Sequence, residues 1–450
     1  MQFRFIHAAD IHLGYEQYNL PARANDFARA YLSMVEYAID VRADFVIIAG
    51  DLFHKANADA WTLKQAIHGL EMLRDAHIPV VAVEGNHDTQ YHARSLSWME
   101  FLCDQELFVL LNVQRSANGV FALTPFDEER RGSWVDIAGA RIYGIKYYGA
   151  TTARILEGVV GDIEPGPNGY TIMMLHSGME GQVPNMHGGL TRGQIEPLRA
   201  GIDYLALGHV HKRLQDEDWI FNPGSTEVNS FEEIEWPHGF FDVRVDTTGS
   251  PKHQVTPVET PTLRPFRRIS ISADGVSSLD EYVARVEERI AAARGVPEKA
   301  VVELHLGGVA DFRRQDLPVE RLKGIAEVTF SPLTVRVRNN LVPPGIVHVT
   351  NRERLPRGEL ERQIVEHLVY QNAEYRDSAA AWARLILQVK NMTIDGDIPA
   401  SITDHIRRFV SGQEDEVDER QASMADHPQG ATVPSGAPED EAEGRALNAD

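Results

Sequence analysis

Short apolar runs rich in Val and Ile alternate with longer stretches of helical periodicity from the first residues onward. Residues 3–8 read as a strand, 25–42 as an amphipathic helix, 45–49 as a strand, 61–75 as a second helix and 79–83 as a third strand. Alternation of this kind predicts a layered α/β domain with its sheet buried on both faces, because each crossover lays a helix against the strands. Further strands are predicted at 141–145, 171–175, 204–207, 219–221 and 240–245. A Pro/Thr-rich stretch, 250–265, then breaks the pattern and reads as a linker.

Beyond it a smaller alternation begins: strand 266–272, helix 279–294, strand 300–306, a short helix at 319–323 and strand 327–337. Pro343-Pro344-Gly345 ends this module, and helical periodicity returns over 359–410. There Leu360, Ile364, Val365, Leu368 and Val369 share one face, followed by Trp382, Leu385, Ile386 and Val389, then Ile402, Ile406, Phe409 and Val410. The expected organisation is a catalytic domain over 1–249, a second α/β domain over 250–345, a helical segment over 346–411 and an acidic disordered tail over 412–450.

At 450 residues the chain is long enough for more than one core. Its one cysteine, Cys103, excludes an internal disulfide and any thiolate zinc cluster, which fits a reducing compartment and a cytoplasmic location. No apolar run is long enough for a membrane span, and residues 1–7 read as a strand rather than as a signal segment. The net charge of −22 weighs against a nucleic-acid partner, but −9 of it falls in 412–450, which leaves −13 for 1–411. Arginine clusters at 264–268, 313–314, 336–338 and 352–362 are candidates for local positive patches.

Five short segments place metal-binding side chains at the ends of the predicted strands. They are Asp10-Ile11-His12, Gly50-Asp51-Leu52-Phe53-His54, Gly85-Asn86-His87-Asp88, Leu175-His176 and Gly208-His209-Val210-His211. Their carboxylate, amide and imidazole groups are donors of the kind that hold a pair of divalent transition metals. Asp51 can bridge two cations because a carboxylate has two oxygens with several lone-pair directions. Asn86 offers a neutral oxygen, and His176, His209 and His211 complete two shells. His87 and His54 are left to act outside the shells. His87 is the expected general acid, with Asp88 accepting its other ring proton. The other histidines, among them His7, His68, His77, His92, His238 and His305, are read as structural.

This set resembles the calcineurin-like metallophosphoesterases. Within them it looks most like the double-strand-break repair nucleases of SbcD or Mre-eleven type. The residues that carry the likeness include His12-Leu13-Gly14-Tyr15, Val83-Glu84-Gly85-Asn86-His87-Asp88, Ala206-Leu207-Gly208-His209-Val210-His211-Lys212 and Asn222-Pro223-Gly224-Ser225. The resemblance implies a four-layer sandwich, a capping domain that helps present DNA, and two manganese ions per subunit. One metal would take Asp10, His12, Asp51 and His211, and the other Asp51, Asn86, His176 and His209. It also implies a homodimer joined to an SMC-like coiled-coil ATPase of SbcC type, with exonuclease action on duplex ends and endonuclease action on single strands. The rival reading is a general phosphodiesterase or phosphomonoesterase for small substrates, since fold alone does not fix function.

Two apolar stripes are candidates for core packing or, as the resemblance implies, for the dimer contact: Trp61, Leu63, Ile67 and Leu70, and Leu96, Met99 and Phe101. The stripes in the helical segment either close a small bundle folded back on the first domain or serve as the ATPase contact.

Overall fold

Along the strand Gln2–Ala8 successive side chains face opposite ways. Phe3 and Phe5 enter one apolar cluster, while Ile6 and Ala8 enter another. That two-sided burial follows from the period of two in an extended chain and places the strand at the centre of a layered fold. In the computed structural model this strand pairs in parallel with Phe45–Ile48, which is followed by Val80–Ala82 and Val109–Leu110. On its other side Gly239–Asp246 runs antiparallel, and His253–Glu259 closes the sheet at the edge. The structure describes residues 1–89, 96–115, 119–184, 189–261, 263–343, 357–370, 372, 374–394 and 398–411.

A second six-stranded sheet has the order Leu214–Asp216, Ile220–Asn222, Tyr204–Leu207, Thr171–Leu175, Ala140–Ile145 and Trp134–Ile137. Phe5, Phe45, Ile47 and Val81 of the first sheet meet Ile142, Ile172, Met174, Tyr204 and Phe221 of the second in a shared core. The Phe5 and Phe45 rings stack at 5.0 Å. Helices Pro21–Asp40, Ala60–Asp75 and Trp98–Asp104 cover the outer face of the first sheet. Helices Thr152–Val159 and Arg192–Ile195 cover that of the second. The result is a four-layer α/β/β/α sandwich.

The stretch expected to be a linker contains the edge strand His253–Glu259. Pro257 lies within it opposite Phe241. A proline lacks the N–H of a ladder position and is tolerated on an edge, where one side of the strand is unpaired. Beyond it Phe266–Ser272, Val301–Gly307 and Thr334–Asn339 form a three-stranded parallel sheet. Leu279–Ala292 and Val319–Phe330 pack against one face of that sheet. The second helix is longer than the expected span 319–323, and the expected strand over 327–337 begins only at Thr334. Leu322, Ala326 and Phe330, spaced four apart, are buried on one helical face, and Ser331 ends the helix in a left-handed turn at φ 45°.

Residues Met1–Pro343 form one compact unit, and the remainder of the chain falls in a second. Within the first unit Arg264 forms a two-pronged ion pair with Asp26. Arg23 also binds Asp26, at 2.7 Å, and Glu227 at 3.2 Å, and all three of these side chains are fully buried. In the second unit the described helices are Arg357–Tyr370, Ala379–Ile394 and Pro399–Val410. Trp382 packs between Tyr375 at 4.9 Å and Phe409 at 5.1 Å. The expected tail over 412–450 and the side chain of Leu360 lie outside the described residues.

Candidate metal centre

Every predicted ligand follows the carboxyl end of a parallel strand, and the two sheets bring those ends to one place. Asp10 and His12 follow Gln2–Ala8, Asp51 follows Phe45–Ile48, and Asn86 follows Val80–Ala82. From the other sheet come His176, after Thr171–Leu175, and His209 and His211, after Tyr204–Leu207. Four of these residues hold left-handed backbone conformations: Asp10 at φ 51°, His12 at 53°, Asp51 at 54° and His209 at 77°. Such conformations are costly for side chains other than glycine and persist only where surrounding bonds dictate them. Here the backbone N–H of Asp10 donates to Gly50 O at 3.1 Å, and those of Ile11 and His12 both donate to Asp51 O, at 2.9 and 3.0 Å. The two ligand turns therefore lock each other.

Glycines allow the close approach. A Cβ on Gly85 would sit 2.0 Å from Oδ1 of Asp51, and one on Gly50 would sit 2.2 Å from Nδ1 of His176. A Cβ on Gly208 would likewise sit 2.2 Å from the Ala49 carbonyl oxygen.

His12, His54 and His87 form one group able to hold an ion, toward the rim, and two further overlapping groups, Asp10–His12–His211 and Asp10–Asp51–His176, lie deeper. The Oδ2 atom of Asp51 lies between them, 3.3 Å from Nε2 of His176 and 3.8 Å from Nε2 of His12. The Oδ1 atom of Asn86 is 3.1 Å from Nε2 of His176 and 2.9 Å from Nδ1 of His209. His176 gives its Nδ1 proton to the Ala49 carbonyl at 2.8 Å, so in the neutral ring Nε2 presents a lone pair to the oxygens of Asn86 and Asp51. Likewise Nε2 of His211 and Nε2 of His12 face each other at 3.1 Å. Oδ2 of Asp10 and Nδ1 of His12 are buried with no hydrogen-bond partner. Lone pairs converging in a buried space call for positive charge, and the donor set fits two divalent cations.

The electrostatics agree. Burial opposes the charge on Asp51, but the imidazoles of His176 and His12 outweigh it and hold the carboxyl well below the usual range. Burial likewise opposes charge on His176, yet Asp51 raises its imidazole to about 9. For Asp10 burial prevails over His211 and His176 and raises the carboxyl.

At the rim, Nδ1 of His87 donates to the backbone carbonyl of His54 at 2.7 Å. This corrects the expected role of Asp88. The Asp88 carboxylate is buried and accepts the backbone N–H groups of Phe53 at 2.9 Å, Gly85 at 3.0 Å and Leu52 at 3.3 Å. A carboxylate committed to three amides fastens the Asp51 turn to the Asn86 turn, and the imidazole takes the nearer carbonyl. The His54 ring stacks on Tyr15 at 3.8 Å and on His87 at 5.1 Å. Burial, then the neighbouring His87, lowers its imidazole to about 4.

Several contributors escaped the sequence reading. Tyr15 supports His54, and the Tyr147 ring lies 5.2 Å from that of His209. Glu233 accepts from Nδ1 of His211 at 3.1 Å. Asn222, from the Asn-Pro-Gly-Ser segment, donates to the carbonyls of Gly208 at 3.3 Å and Val210 at 3.0 Å, clasping the turn that carries both histidines.

A family model described as calcineurin-like phosphoesterase matches residues 3–213. The DNA double-strand break repair protein Mre11 of Archaeoglobus fulgidus is 48% identical over 113 residues, 25% of this chain and 25% of that protein. Mre11 of Saccharolobus solfataricus is 25% identical over 398 residues, 87% of this chain and 96% of that protein. Mre11 of Methanococcus maripaludis is 27% identical over 241 residues, 51% of this chain and 59% of that protein. The chain thus spans a quarter of the first relative, nearly all of the second and more than half of the third. All seven ligand candidates and the His87 rim lie inside residues 3–213, which form a calcineurin-like phosphoesterase domain.

Proposed function

We propose that this chain is a manganese-dependent nuclease that hydrolyses DNA phosphodiester bonds in double-strand-break repair, as an exonuclease on duplex ends and an endonuclease on single strands. The observation that carries this reading is the convergence of seven acceptor side chains from two sheets on one buried space, with a histidine fixed at its rim. Asp10, His12, Asp51 and His211 would hold one cation, and Asp51, Asn86, His176 and His209 the other. A cation pair held there would supply Lewis acidity toward the phosphate and lower the pKa of a bound water.

The chain's own residues supply the rest. The backbone N–H of His87 donates to Oδ1 of Asp51 at 2.9 Å, steadying the shared carboxylate. With Nδ1 of His87 spent on the His54 carbonyl, Nε2 is the atom available to protonate the leaving oxygen. Tyr15 and His54 back that ring and limit its rotation.

The names of the curated relatives support DNA as the substrate class. The parallel module after Phe266 would act as the capping domain: the helix-free face of its sheet packs beside the site, with Arg268 over the Phe231 ring, Arg336 over the Tyr18 ring and Arg338 paired with Glu232. We further infer a homodimer working with an SMC-like coiled-coil ATPase of SbcC type, in the cytoplasm. Among the described residues no helix is long and apolar enough to cross a membrane. Comparing hydrolysis of a linear duplex with that of bis-p-nitrophenyl phosphate tests the substrate class. The reading predicts both activities; an enzyme that cleaves only the small ester would be the general phosphodiesterase instead.

A further inference from the structure

Glu233 lies outside the residues matched by the family model, yet its carboxylate sits directly behind a candidate ligand. Oε1 accepts from Nδ1 of His211 at 3.1 Å and from the Ser230 hydroxyl at 3.1 Å. Oε2 accepts the backbone N–H of Asn229, also at 3.1 Å. The side chain is only 10% exposed. Both oxygens are thus engaged by donors, an arrangement that a carboxylate satisfies and an amide does not.

The segment around Glu233 is held from several directions. The Nε2 atom of His238 donates to the Glu233 carbonyl at 3.1 Å. Glu232 pairs with Arg338. Phe231 meets Phe266 edge-on at 5.1 Å, and the Arg268 guanidinium lies over the Phe231 ring at 5.6 Å. The carboxylate is therefore fixed in place by contacts to the parallel module, and it in turn fixes an imidazole.

A carboxylate that takes one ring proton of a histidine sets the tautomer and makes the opposite nitrogen a better donor to a metal. In His211 that opposite nitrogen is Nε2, which faces Nε2 of His12 across 3.1 Å. We propose that Glu233 is a positioning residue for His211, keeping the ring in its Nδ1–H form and aiming the Nε2 lone pair at the cation shared with His12 and Asp10. The proposal rests on the two-cation reading above and adds to it a residue that touches neither metal nor substrate. It implies that the two cation positions respond differently to loss of Glu233, because the other position draws its imidazole orientation from the Ala49 carbonyl.

The test is manganese titration of the full chain by calorimetry, joined to nitrogen-15 NMR of the His211 ring in the metal-free protein. The wild type is expected to bind two manganese ions and to show His211 protonated at Nδ1. Binding of fewer than two by the wild type would overturn the two-cation reading itself, independently of Glu233. In Glu233→Ala one of the two ions should bind roughly 10–100-fold more weakly while the other is unchanged, and the Nδ1–H signature should be lost. Glu233→Gln retains the size of the side chain, so it serves if the alanine variant does not fold. Its amide must set N–H against a donor, and it too should weaken one ion selectively. Unchanged affinities in both Glu233 variants, an equal weakening of both ions, or a retained Nδ1–H signature in Glu233→Ala would overturn the proposal.

Discussion

His87 and His54 are joined through a side chain and a backbone: Nδ1 of His87 donates to the His54 carbonyl at 2.7 Å. Because a carbonyl only accepts, the bond assigns the tautomer of His87 and leaves Nε2 to exchange a proton with substrate. His87→Ala should lower turnover on DNA by roughly 10²–10⁴ while both metals stay bound, the span expected for removal of a general acid. Metal content measured on the same preparation decides the role, since activity and metal lost together would make His87 a ligand.

Metal choice follows from the donor set. Four histidines converge with two carboxylates and one amide, and magnesium's preference for an oxygen octahedron suits such a site poorly. Chelated protein should recover nuclease activity with Mn²⁺ better than with Mg²⁺ at equal concentration. Equal recovery would contradict an imidazole-rich pair of shells.

The two apolar stripes considered for dimerisation divide in the structure. Leu70 and Met99 are fully buried in the core, whereas Trp61 is 62% exposed and Leu96 58% exposed. If the exposed pair forms the contact, sedimentation equilibrium at micromolar concentration should give a dimer for the wild type and a monomer for Trp61→Glu. A monomeric wild type would remove this surface from the account.

In the helical unit, Ile364, Leu368 and Ile386 are exposed, while Leu385 is buried. An apolar row of this kind suits a helix-in-groove partner. Deleting 346–450 should abolish co-purification with the coiled-coil ATPase and leave manganese-dependent cleavage of single-stranded DNA intact. Association that survives the deletion would place the partner surface on the first unit.

The sandwich was legible because its strands are apolar on both faces and the ligands sit at their ends. Asp51, Asn86 and His209 each stand next to a glycine, and Asp10 follows the first apolar strand, so local pattern and chemistry coincided. Glu233 and Tyr15 were not legible, because their roles depend on contacts 22 and 39 residues away along the chain, which no local spacing encodes. The role of Asp88 was misread for a related reason. An acid adjacent to His87 in sequence is the obvious partner, but the turn directs its carboxylate at three backbone amides instead. The strand around Pro257 was hidden by a residue that usually argues against strands, and only its edge position explains it. In the smaller module, Glu327-Val328-Thr329-Phe330 alternates like a strand, yet Val328 is 86% exposed and Phe330 is buried, as the helical face through Leu322 and Ala326 requires.

Asp51 lies 3.3 Å from His176 and 3.8 Å from His12, each in a different ligand group, and the account makes it the one side chain common to both cations. The most direct measurement is manganese content together with degradation of a linear duplex, for the wild type and for Asp51→Asn. The account predicts two manganese ions per chain and duplex degradation in the wild type, with both ions weakened and degradation lost in the variant. A wild type that holds a single ion, or a variant that still degrades the duplex at the wild-type rate, would contradict it.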